Sequence, residues 1–186
     1  SEFVAVQAAF QTWQNVQSAD IRFDYRGTTP VRTVGRDGVN LISFTDDATP
    51  LGSSTLAATF SFFCNTCADF PSQEADVIFN NAFQWSTSGE SGKYDIQAVL
   101  THELGHFLGL DHSGMVSSVM VPFGAASQID QRVLQYDDIA GVSEIYPKSD
   151  GPAVGQIRGS ITSGTTPVFG AHVVAVDPDE IGRAHV

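Results

Sequence analysis

Positive charge is scarce in this chain: 9 Lys and Arg stand against 21 Asp and Glu, leaving a formal net charge of -12. Little here can neutralise a run of phosphates, which excludes nucleic acid as a partner and argues equally against an anionic membrane surface. The carboxylates read as a solvated acidic face or, alternatively, as calcium sites, because oxygen ligands suit that ion. Apolar runs of about 20 residues are missing, so no membrane span is expected. Ser1-Glu2-Phe3 lacks a basic region leading into an apolar stretch, so the opening residues do not read as a signal peptide. Only 2 cysteines occur, Cys64 and Cys67. In a secreted protein this CxxC pair could close a small disulfide loop; the alternative, a thioredoxin-like redox motif, is weakened because the pair opens no recognisable helix. Histidine is confined as well: of 5 in the chain, none precedes His102.

What is present begins with enough apolar material for a core, 42% of 186 residues including 13 Phe, which suits one full domain and part of another. The densest chemistry lies at 102–112, His-Glu-Leu-Gly-His-Phe-Leu-Gly-Leu-Asp-His. His102 and His106 are four apart, so on a helix both imidazoles leave one face and can share an ion, with Glu103 beside it. Gly109 can end that helix with a positive φ and bring His112 round as a third nitrogen. Three protein ligands leave a tetrahedral zinc one open position, the pattern of a catalytic site. Core histidines on a buried helix are the bland alternative, and imidazole suits an unsatisfied apolar core poorly.

Ser113 follows the third His, and Met120 lies within Ser118-Val119-Met120-Val121-Pro122. With the extended His motif, these residues resemble the metzincin zinc peptidases and, within them, the matrixins, of a bacterial type. The resemblance covers roughly residues 4–146. It implies an α+β fold with a twisted mixed sheet, three helices and a cleft. It further implies one catalytic zinc on His102, His106 and His112, with Glu103 as general base and Met120 in a turn under the metal. Val121, Pro122 and Phe123 would wall the pocket for the residue after the cleaved bond. Animal matrixins usually hold a second, structural zinc through upstream histidines, for which this chain has none; Ile78 stands about where one such ligand would fall.

Elsewhere the patterning gives a helix over 2–17 with Phe3, Val6, Phe10 and Trp13 on one face, and strands at 19–26, 39–45, 56–63 and 75–80. Asp95 is placed to cap the His helix, Gly105 inside it implies close packing against a neighbour, and 137–146 returns to helical spacing. The expected organisation is a peptidase domain at 1–147, a linker at 148–153 and the start of a truncated β-sandwich-like module at 154–186, with strands at 157–162 and 171–176. His172 and His185 read as ordinary strand or tail residues. The function expected is a secreted or cell-surface monomeric zinc endopeptidase acting on proteins or peptides. Two rivals stay open: an adhesion protein whose β module carries the main role, and an inactive zinc-stabilised scaffold.

Overall fold

The computed structural model describes residues 1–45, 51–68, 72–152 and 158–169. The chain divides into two compact units, Ser1–Pro152 and Ala153–Val186. The first unit carries three α-helices and a small mixed sheet among its described residues, in keeping with the α+β expectation.

Helix α1 (Glu2–Gln14) buries Ala5, Ala9 and Trp13, one residue per turn along a single line. Two of these are alanines, so the helix can approach its neighbour closely, and the Trp13 indole N–H donates to the Thr101 carbonyl at 2.9 Å. The apolar face is therefore rotated from the sequence expectation: Phe3 is 54% exposed, while Val6 and Phe10 pack only partly on the core. The helix also stops at Gln14 rather than 17, because the Val16 amide closes a tighter turn onto the Trp13 carbonyl.

In the main sheet, β3 (Ser72–Phe79) lies between β1 (Ile42–Phe44), parallel to it, and β2 (Ala57–Phe63), antiparallel to it. The six residues from Glu74 to Phe79 are all buried, as a central strand requires. Ile78 pairs with Ala58 across the ladder, so the position discussed for a structural-zinc ligand holds an apolar cross-strand pair. The segment 39–45 contributes only the three residues of β1, since the chain before it follows another plan. There the amides of Gly35 and Leu41 donate to Asp76, and those of Asp37 and Gly38 donate to Glu74.

The predicted strand at 19–26 is not one; it makes a single isolated bridge, Ala19 with Pro147. Its alternation is real, with Ile21 and Phe23 packed on the core and Arg22 and Asp24 exposed. Its backbone is bonded elsewhere, Asp20 to the Tyr146 carbonyl and Phe23 to the Gln14 side chain. Period two here reports one-sided burial rather than sheet membership.

Strands β4 (Trp85–Ser86) and β5 (Tyr94–Asp95) form a two-residue parallel pair that leads into helix α2 (Ile96–Phe107). A 3₁₀ turn at Asp130–Arg132 precedes helix α3 (Tyr136–Ile145). No helix among the described residues is long and apolar enough to cross a membrane.

The second unit shows a hairpin of β6 (Thr162–Ser163) and β7 (Thr166–Pro167) turning at Gly164, which has φ +64°. Of the strand expected at 157–162, residue 157 lies outside the described residues, and among 158–162 only Thr162 is in a strand. The strand expected at 171–176, His172 and His185 lie outside the described residues.

Candidate active site

Helix α2 begins where Asp95 can stop the β-bridge and start a helix: its buried carboxylate accepts from the Ala98 amide at 2.9 Å. The same carboxylate takes a two-pronged pair from Arg132, through Nε at 2.8 Å and Nη2 at 2.5 Å. The start of the helix is thereby tied to the 3₁₀ turn. At the other end Gly109 takes φ +97°, a backbone conformation that a side chain would strain, and the chain reverses over the last turn.

The reversal brings His112 to the two helical histidines. Nε2 of His106 lies 3.1 Å from Nε2 of His102 and 3.2 Å from Nε2 of His112. Nitrogens bound to one tetrahedral zinc at ~2.0–2.1 Å would sit about 3.3 Å apart, so the spacing fits. The far side of each helical imidazole strengthens the case. Nδ1 of His102 is 2.8 Å from the Val119 carbonyl and Nδ1 of His106 is 2.9 Å from the Leu110 carbonyl. A carbonyl only accepts, so each Nδ1 carries the proton and each neutral Nε2 presents a bare lone pair. Two lone pairs facing each other at that distance repel unless a cation sits between them. Burial favours the neutral rings, holding His106 below its ordinary value and His102 down to about 4. Among the described residues this triad is the only group of three or more His, Cys, Asp or Glu side chains arranged for one ion.

Glu103 is buried beside the triad, 5% exposed. Burial pushes its carboxyl up to about 7, opposed by a hydrogen bond from the Thr59 hydroxyl, which favours the charged form. That hydroxyl reaches Oε2 at 2.7 Å and the Glu103 carbonyl at 3.0 Å.

Met120 lies in the turn 118–121, 2% exposed and packed against Gly105 of α2. A Cβ on Gly105 would collide with its Sδ and stand 2.9 Å from its Cε and 3.2 Å from the Trp13 ring, which accounts for a glycine in mid-helix. The turn is organised by Asp138, a buried carboxylate on α3. It accepts from the Ser118 hydroxyl (2.5 Å), the amides of Val119 (2.9 Å) and Met120 (3.2 Å), and the Gln135 amide (2.8 Å). The Ser113 amide closes the loop onto the Met120 carbonyl at 2.9 Å.

An open cleft of about 840 Å³ runs over these groups. One side is β2, through Ala57, Thr59, Ser61 and Phe63, and Val121, Pro122 and Phe123 also line it. Phe123 is 79% exposed, at the rim rather than in the wall. Cys64 and Cys67 are joined in a disulfide just beyond the end of β2, outside the lining. Sequence reasoning did not reach Thr59, Asp138 or Arg132. The two Asp that open α3 were a visible signal for Asp138, whereas nothing local marks a threonine in a strand.

Comparison with known proteins agrees with this geometry. The matrixin family profile matches residues 2–147. Matrilysin of Rattus norvegicus is 41% identical over 78 residues, covering 42% of this chain and 29% of its own length. Matrix metalloproteinase-15 of Homo sapiens is 28% identical over 156 residues, covering 79% of this chain and 22% of its own. Matrix metalloproteinase-16 of Homo sapiens is 28% identical over 151 residues, covering 78% and 24%. The chain therefore spans about a quarter of the length of these curated relatives. Because the family match runs from the first helix through the last and takes in the whole His-bearing turn, the chain belongs to the matrixin family of zinc metallopeptidases.

Proposed function

We propose that the unit containing residues 1–147 is an extracellular endopeptidase domain that hydrolyses peptide bonds with Glu103 as general base. The observation that carries this reading is the convergence of three imidazole Nε2 atoms next to a buried carboxylate in an open cleft. His102, His106 and His112 would hold one zinc through those nitrogens. When bound, zinc supplies Lewis acidity towards the scissile carbonyl and lowers the pKa of water in its open position.

The chain's own groups do the rest. Glu103, kept out of solvent with its pKa raised towards neutrality, takes the proton of the attacking water on a carboxylate oxygen and returns it to the departing amine. Among the described residues β2 pairs only with β3, and β2 borders the cleft, so an extended substrate can add at its other edge as a strand. Val121 and Pro122, with Phe123 at the mouth, form an apolar wall for the residue after the cleaved bond. Met120, packed against Gly105 of the His-bearing helix, takes no part in proton transfer.

A secreted or cell-surface location belongs to the same proposal, supported by the Cys64–Cys67 disulfide, a bond favoured in oxidising compartments. The domain is taken to act as a monomer. Calcium enters only through the net charge of -12 and the preference of that ion for carboxylate oxygen. Stripping the protein with a chelator should abolish cleavage of a peptide library, and one equivalent of zinc should restore it. Full activity in demonstrably metal-free protein would refute the reading.

A further inference from the structure

Thr59 and Glu103 meet where β2 packs on α2, and both line the cleft. Thr59 lies on β2 opposite Val77 of β3, so its backbone is fixed by the sheet, while Glu103 is fixed by α2. Along β2 the side chains of 57, 59, 61 and 63 share one face, and these residues line the cleft together with Leu56 and Ala58. Of these, the Thr59 hydroxyl lies 2.7 Å from Oε2 of Glu103 and 3.0 Å from its carbonyl oxygen.

A threonine hydroxyl has one proton to give, and both acceptors belong to the same glutamate. The contact therefore holds one end of a side chain that otherwise turns about three bonds. With Oε2 engaged, Oε1 is left as the oxygen able to meet an attacking water, at a fixed height above the helix. We propose that Thr59 is a positioning residue for Glu103: the edge strand along which a substrate lies also orients the base that attacks it. The inference rests on the peptidase reading of Glu103 given above.

The test compares Thr59→Val, which keeps the shape and loses the hydroxyl, with Thr59→Ala and Thr59→Ser, each also built in a Glu103→Ala background. Peptide turnover, zinc content and thermal unfolding are read for every protein. Val and Ala should each lower kcat on the order of tenfold, the weight of one hydrogen bond to a charged group, with KM and zinc content unchanged. Ser should restore kcat to within about twofold, and none of the three should alter the residual rate once Glu103 is gone. Wild-type kcat in both Val and Ala variants, a loss that Ser does not recover, or a loss that persists without Glu103 would each overturn the proposal. Wild-type activity in Glu103→Ala alone would instead overturn the peptidase reading beneath it.

Discussion

Gly105 shows how much a single atom settles at this site. A helix gains ~1 kcal/mol from Ala in place of Gly, so an exposed position would favour the exchange. Here the added carbon would meet Met120 and Trp13, both buried, and overpacking costs about 1–3 kcal/mol. Gly105→Ala should accordingly lower Tm, and a Tm at or above wild type would show that Met120 has room to move aside. That close approach was readable from the sequence, because a glycine inside a strong helical pattern needs a neighbour to explain it. The convergence of the three imidazoles was readable for a similar reason: offsets of four and six, with a helix-ending glycine between, are local geometry. Thr59 was not. Its partner is 44 residues away, and only the packing of β2 on α2 brings them together.

At the scale of elements, β3 carries more than its share. Its buried carboxylates, Glu74 and Asp76, gather the amides of the loop at 35–41 and so fix the chain entering β1. The amide of Asp37 holds the Glu74 carboxyl below its ordinary value of 4.5, with further help from Gly38. A carboxylate depressed in the folded state stabilises above the unfolded value and loses that contribution as pH falls through the folded one. Glu74→Gln should therefore be less stable than wild type at neutral pH, and the gap should narrow as pH falls below about 4.5 and through the depressed folded-state value. Thermal unfolding of both proteins across that range checks it; a gap independent of pH would show that the charge contributes nothing. Asp76, shifted upwards by burial, is retained in both proteins. Strand β3 itself was legible as an apolar run, whereas 19–26 misled because alternation marks burial on one side whether or not a ladder follows. The Asp138 contacts to the Met120 turn belong to the same class as Thr59, with partners 18 to 20 residues apart that no period connects.

For the molecule as a whole, everything the proposed chemistry uses lies in the unit Ser1–Pro152. The end of that unit is bonded into it: Asp20 donates to the Tyr146 carbonyl at 2.8 Å, and Lys148 donates to the Ser18 carbonyl at 3.1 Å. A chain ended after Pro152 should keep these contacts, unfold as cooperatively as the longer chain and cleave peptides at the same rate. Loss of the folded state on that truncation would show that later residues complete the core. If Glu103 is the base of a zinc-dependent peptidase, Glu103→Ala should separate metal binding from hydrolysis, because His102, His106 and His112 all remain. Metal content and peptide hydrolysis should be measured on the same sample. The variant should hold one zinc per chain with hydrolysis reduced by at least ~10²–10⁴-fold, the span attributed to a positioned general base. A zinc-loaded Glu103→Ala protein hydrolysing peptides at close to the wild-type rate would contradict that role for Glu103.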